Sequence, residues 1–158
     1  MIIKEKIIAS EKESVEKLQE LLNQYKDKLV VVVGTSCSGK TTFLKNIKNA
    51  HDMDELIFPL LTKEEHDYVC QDPRTPEIWE TMTKWVKEKV KLKKGEPIFG
   101  TVRLDSDIVI HIKVEDDLLK ERTEKRNAKF ENIKNMQKDI EDDIENSNAE
   151  VIEFLIKK

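Results

Sequence analysis

Residues 31–44 read VVVGTSCSGKTTFL. The run from Leu29 to Val33 is unbroken, apolar and rich in β-branched side chains, as in a strand buried on both faces of a parallel sheet. Two of the chain's four glycines, Gly34 and Gly39, follow at once. After them, Phe43, Leu44 and Ile47 fall on one face of a helix. Strand, glycine loop and helix in that order are the context for G-x-x-x-x-G-K-[ST]. The stretch Gly34-Thr35-Ser36-Cys37-Ser38-Gly39-Lys40-Thr41 satisfies every fixed position of that pattern.

Each fixed position has a physical reason. Glycines adopt backbone angles that other residues resist and let the main chain come close to a ligand. Successive N–H groups then converge on an anion, and the following helix adds the positive end of its dipole. The expected ligand is the phosphate chain of a nucleotide, wrapped by Gly34 through Thr42. Lys40 is expected at the β- and γ-phosphates and Thr41 on Mg2+. ATP and Mg2+ are the expected cofactors, ATP rather than GTP only because it is the commoner case.

The rest of the chain bounds this reading. Its 158 residues suit one domain, 1–158, with a core that needs no staples. Charged residues make up 38% and aromatic ones 6%, which predicts an aliphatic core and long solvated helix faces. A net charge of −4 argues against binding nucleic acid by bulk electrostatics. The two cysteines, Cys37 and Cys70, read as free thiols in a reducing compartment. The charged N-terminus is no signal peptide, and no apolar run approaches a membrane span, so the expectation is a cytoplasmic protein with no membrane partner.

Along the chain, SEKESVEKLQELLNQYKDK predicts a helix over about 10–26, with Ser10 and Glu13 as a capping box and Val15, Leu18, Leu21, Leu22 and Tyr25 as its stripe. Residues 51–76 are the least regular. PEIWETMTKWVKEKVK predicts a helix with Trp79, Met82, Val86 and Val90 facing the core, and Gly95 is expected to end it. EPIFGTV and DIVIHIKV predict strands, the second holding His111 as a satisfied core residue. A long charged helix follows, with a break expected near Asn127. NAEVIEFLIKK predicts a closing amphipathic helix capped by Asn148. The alternation of strands and helices predicts an α/β layered domain with a parallel sheet.

A nucleotide loop alone does not fix a reaction. A guanine-reading Asn-Lys-x-Asp is missing, since NIKN and NAKF do not supply it, and the chain has neither the signature nor the size of an ABC-type ATPase. DIVIHIKVEDD offers Glu115 and Asp116 at a strand end, as in a motor, but these lead straight into LLKERTEKRN. The loop at 34–41, the stretch DIVIHIKVEDDLLKERTEKRN at 107–127 and the ending ENSNAEVIEFL resemble the small P-loop kinases related to adenylate, shikimate and gluconate kinases. That resemblance implies a three-layer P-loop NTPase fold: a central parallel sheet, helices on both faces, a small lid at about 120–135 and here an extra N-terminal helix. By the same comparison DIEDDIENS takes the place of the last strand. It implies Arg122 and Arg126 as lid arginines on one helix face, clamping the transferred phosphoryl group. It also implies Asp52 or Asp54, slightly favouring Asp54, as the group that faces an acceptor hydroxyl. For a phosphate acceptor, Arg74 and Arg103 are the remaining candidates, Arg103 because it follows a strand.

The expected function is transfer of the γ-phosphate of ATP to a nucleotide, nucleoside or other hydroxylated small molecule, with Lys40, Asp52, Asp54, Arg122 and Arg126 as catalytic candidates. The alternatives are a kinase acting on a nucleic-acid hydroxyl, such as a 5′ end or a hydroxymethylated base, and a non-kinase NTP-binding regulator that docks through its N-terminal helix.

Overall fold

The computed structural model describes residues 3–71 and 75–158. In chain order the elements are β1 (Ile3–Ser10), α1 (Ser14–Gln24), β2 (Val30–Val33), α2 (Lys40–Asn46), β3 (His51–Asp52), α3 (Met53–Ile57), a 3-10 turn (Phe58–Leu60), α4 (Lys63–Val69), α5 (Pro76–Lys89), β4 (Ile98–Gly100), β5 (Ile108–Val114), α6 (Asp116–Lys125), α7 (Phe130–Glu145) and β6 (Glu150–Lys157). The strands form one sheet in the order β1-β6-β5-β2-β4-β3, with every neighbouring pair parallel.

All four residues of β2 are buried, and their alternation divides the core. Val30 and Val32 join Leu18 and Leu21 of α1, Phe43 of α2 and Leu119 of α6 on one face. Val31 and Val33 join Met53 of α3, Met82 and Val86 of α5 and Ile144 of α7 on the other. Helices therefore cover both faces of an α/β sheet. Each fully buried aliphatic or aromatic side chain contributes about 1.5–3 kcal/mol, so these two layers supply most of the driving force.

The connections fix where a ligand would approach. From β2 the chain runs outward to β3, returns to β4, and then crosses behind β2 to reach β5 and β6. Asp107 ties this crossing to the start of β2, where its Oδ2 accepts from Leu29 N at 2.9 Å. The connections leaving β2 and β5 thus depart in opposite directions, which opens a crevice at their C-terminal ends. Gly34–Lys40 and the start of α6 both occupy that edge.

Several sequence expectations need correction. Residues 150–157 form β6, not a closing helix, and lie between β1 and β5. DIEDDIENS holds the last turns of α7, with Ile140 and Ile144 buried at helical spacing, and is not a strand. The N-terminal helix begins at Ser14, preceded by β1, although the reciprocal Ser10–Glu13 bonds expected of a capping box do form. The helix before β4 ends at Lys89; Gly95, with φ +76°, instead turns the chain between Lys93 and Glu96. Trp79 is 48% exposed, and Ile78 takes its place in the core. The break near Asn127 is present: α6 and α7 are separate helices, and Asn127 has φ +53°.

Candidate functional site

The loop after β2 needs its first glycine for steric reasons. Gly34 N donates to Gly100 O at 3.1 Å, which extends the sheet ladder by one bond. A Cβ at Gly34 would lie 2.9 Å from Ser38 Oγ and 3.3 Å from Ile112 O, so a side chain would displace Ser38 and crowd β5. Gly39 has φ +94°, in the left-handed region that glycine enters without cost. Cys37 also sits there, at φ +67°, an uncommon angle for a residue with a Cβ. Its thiol is buried and free, as Cys70's is free and exposed.

Hydroxyls hold the loop from within. Ser38 Oγ donates to Thr35 O at 2.7 Å, and Thr35 Oγ1 donates to Ser36 O at 2.9 Å. Thr35 and Ser38 are buried, whereas Ser36, Thr41 and Thr42 are exposed. The Lys40 ammonium folds back on the loop and donates to Gly34 O at 2.7 Å. Burial pulls its pKa down to about 8, against the opposing attraction of Asp54 and Asp52. That attraction places both carboxylates within electrostatic reach of Lys40. Asp52 ends β3 and caps α3 by accepting from Asp54 N at 3.0 Å; Asp54 is exposed on the first turn.

Arg122 meets the loop from α6. Its Nη1 donates to Cys37 O at 3.0 Å, and its Nη2 donates to Glu11 Oε2 at 3.3 Å. Arg126 does not join it. That residue lies past the last turn of α6 with its side chain exposed, so the two arginines do not form one clamp in this state. Glu115 and Asp116 have structural partners, Lys158 N at 3.0 Å and Lys134 Nζ at 3.1 Å.

Arg103 lies elsewhere. Its Nη1 is 3.4 Å from Asp105 and its Nη2 is 3.5 Å from Asp143, near the end of α7. It lines a polar cavity of about 280 Å3 with Ser106, Asn148 and Ala149, at the N-terminal ends of β5 and β6. That is the sheet edge opposite the loop. Arg103 Nε and Ser106 Oγ are buried there without a hydrogen-bond partner. Arg74 falls outside the described residues.

His111 pairs with Val33 across β5 and β2, one residue short of the loop. It is buried as expected but not satisfied, because its Nε2 has no hydrogen-bond partner. Burial, aided by Lys113 and opposed by Glu141, lowers its pKa to about 4 and keeps the ring neutral where a free histidine titrates. Among the described residues, no group of three or more His, Cys, Asp or Glu is arranged to hold a metal, and no helix is long and apolar enough to cross a membrane.

Comparison with known protein families, curated proteins and solved structures found no match. The site therefore rests on its own geometry. That geometry brings Lys40 and Arg122 onto the loop, sets Asp52 and Asp54 within electrostatic reach of Lys40, and leaves Arg103 and Arg126 outside. It adds one residue that sequence reasoning missed, Glu11. The pairing of β1 with β6 brings Glu11 to this edge, and nothing in its sequence neighbourhood announces that pairing.

Proposed function

We propose that the chain is an ATP-dependent phosphotransferase acting on a nucleotide, nucleoside or other hydroxylated small molecule. The observation that carries this reading is that a half-buried cation, Lys40, and a guanidinium, Arg122, meet on one glycine loop at the C-terminal edge of the central strand, with the carboxylates of Asp52 and Asp54 within electrostatic reach of Lys40. The left-handed turn at Gly39, φ +94° at the start of α2, fits a loop whose backbone N–H groups converge on phosphate oxygens.

In this reading Lys40 exchanges its bond to Gly34 O for the phosphate chain. Arg122 offers charged donors to the oxygens of the transferring group, where a preorganised cation contributes most. Asp54 or Asp52 orients an acceptor hydroxyl and takes its proton. Mg2+, held in part by the exposed Thr41 hydroxyl, would neutralise phosphate charge. With a net charge of −4, a small acceptor is favoured over a nucleic-acid hydroxyl.

The test is transfer from γ-labelled ATP with Mg2+, offered nucleosides, nucleoside monophosphates, small polyols and hydroxyl-bearing DNA. Label on a small acceptor is the expected result. Lys40→Ala should abolish transfer and leave the far-UV circular dichroism spectrum unchanged. Undiminished transfer by that variant would sink the role of the loop. Label released only as free phosphate, whatever the acceptor, would replace the kinase by an NTP-hydrolysing regulator.

A further inference from the structure

We propose that Glu11 is a positioning residue for Arg122, and that the N-terminal strand serves the site by bringing this carboxylate to the loop. The inference rests on the phosphotransfer reading and deepens it. Its first support is how firmly Glu11 is placed. Its backbone N donates to Lys157 O at 2.9 Å, continuing the β1–β6 ladder past the end of the strand. The turn after it is closed on both sides: Ser10 Oγ donates to Glu13 Oε1 at 2.8 Å, and Glu13 N donates to Ser10 O at 3.1 Å. Ser14 Oγ then returns to Glu11 O at 2.9 Å. Both main-chain polar groups of Glu11 are thus paired, and the turn around it is closed by its neighbours.

The second support is what Glu11 does to the arginine. Arg122 has four side-chain torsions, and one contact leaves most of them free. Here two different nitrogens are anchored, Nη1 on Cys37 O and Nη2 on Glu11 Oε2, so the guanidinium plane is fixed beside the loop. It lies close enough that a Cβ built on Gly39 would be 3.6 Å from Nη1. The Glu11 side chain is 47% exposed, so its ion pair adds little to folding stability. Orientation is the contribution that remains. Arg126, which has no such anchor among the described residues, stays out in solvent at the end of α6.

Glu11→Ala is expected to lower kcat about tenfold, leave KM for ATP within about twofold and leave Tm within about 2 °C, since only an exposed pair is lost. Glu11→Gln keeps an acceptor at the same reach and should restore part of the loss. In an Arg122→Lys background, which removes the planar fork, Glu11→Ala should cost nothing further. The guanidinium 15N–1H signals of Arg122, assigned by their loss in Arg122→Lys, should be separated by hindered rotation in the parent protein and merge in Glu11→Ala. An active parent whose Glu11→Ala variant keeps full kcat overturns the proposal, as does an equal loss in the Arg122→Lys background or an unchanged Arg122 spectrum. A parent protein that transfers phosphate to no acceptor overturns the phosphotransfer reading, whereas an active parent unaffected by Glu11→Ala overturns only the positioning role, so the two failures are distinct.

Discussion

Lys40 is the residue on which the chemistry of the loop turns. Its ammonium has one carbonyl partner at 2.7 Å, and burial holds its pKa at about 8, below the ordinary lysine value of 10.5. In the unfolded chain the same group keeps its proton to the higher value. Between pH 8 and 10.5 the unfolded state therefore binds more protons, and this group makes stability rise with pH; below pH 8 the folded protein bears the full cost of the buried charge. A bound phosphate would reverse the effect by stabilising the charged form. Nucleotide binding should then take up a proton above pH 8, and the apparent Kd should weaken by up to about tenfold per pH unit there. Calorimetric titrations from pH 7 to 9.5, in buffers of different ionisation enthalpy, measure both quantities. A Kd that stays flat over that range, with no proton uptake, would show that no phosphate lies beside Lys40. Lys40→Met should remove the pH dependence together with most of the affinity.

At the scale of elements, β2 and its loop were legible because every signal is local: four consecutive valines, a glycine on each side of the turn, and an apolar stripe after it. β6 was not, because VIEFLI places apolar residues at 151, 152, 154, 155 and 156, and such a run fits a helix face as well as a strand buried on both faces. What decides between them is pairing with β1 and β5, each far away in sequence. α7 misled in the opposite sense: a family pattern asked for a strand where the Ile140–Ile144 spacing makes a helix. Asp52 and Asp54 do not share an extended segment, since Asp52 ends β3 and Asp54 lies in the first turn of α3; Arg103 was not legible, since lying after a strand does not say which edge of the sheet a returning loop has reached. The strand assignment has a measurable consequence. Phe154 is wholly buried at the centre of β6, so Phe154→Ala should cost about 3–5 kcal/mol in urea unfolding. The amides of residues 151–156 should also rank among the slowest to exchange, because β6 has partners on both sides. Fast exchange there would overturn the placement of β6 between two partner strands.

Across the whole molecule, the sheet edge and the site are one construction. Without β1 the crevice, the loop and α6 could all still form, but β6 would become an open edge of eight residues. β1 closes that edge and turns a charged strand outward, with Lys4, Glu5 and Lys6 exposed beside Ile8, the kind of edge that discourages pairing with another chain. It also carries Glu11 across a separation of 111 residues to Arg122. Removal of residues 1–9 should therefore have two effects with a common cause. The variant should unfold at lower temperature and self-associate through the bared β6, visible as a mass that rises with concentration in size-exclusion chromatography with light scattering. Its turnover should fall at least as far as that of Glu11→Ala, because the turn that fixes Glu11 has lost the strand that carries it. A monomeric variant with unchanged turnover would make β1 a mere appendage. A monomer that has lost only turnover would keep the positioning role and discard the protective one.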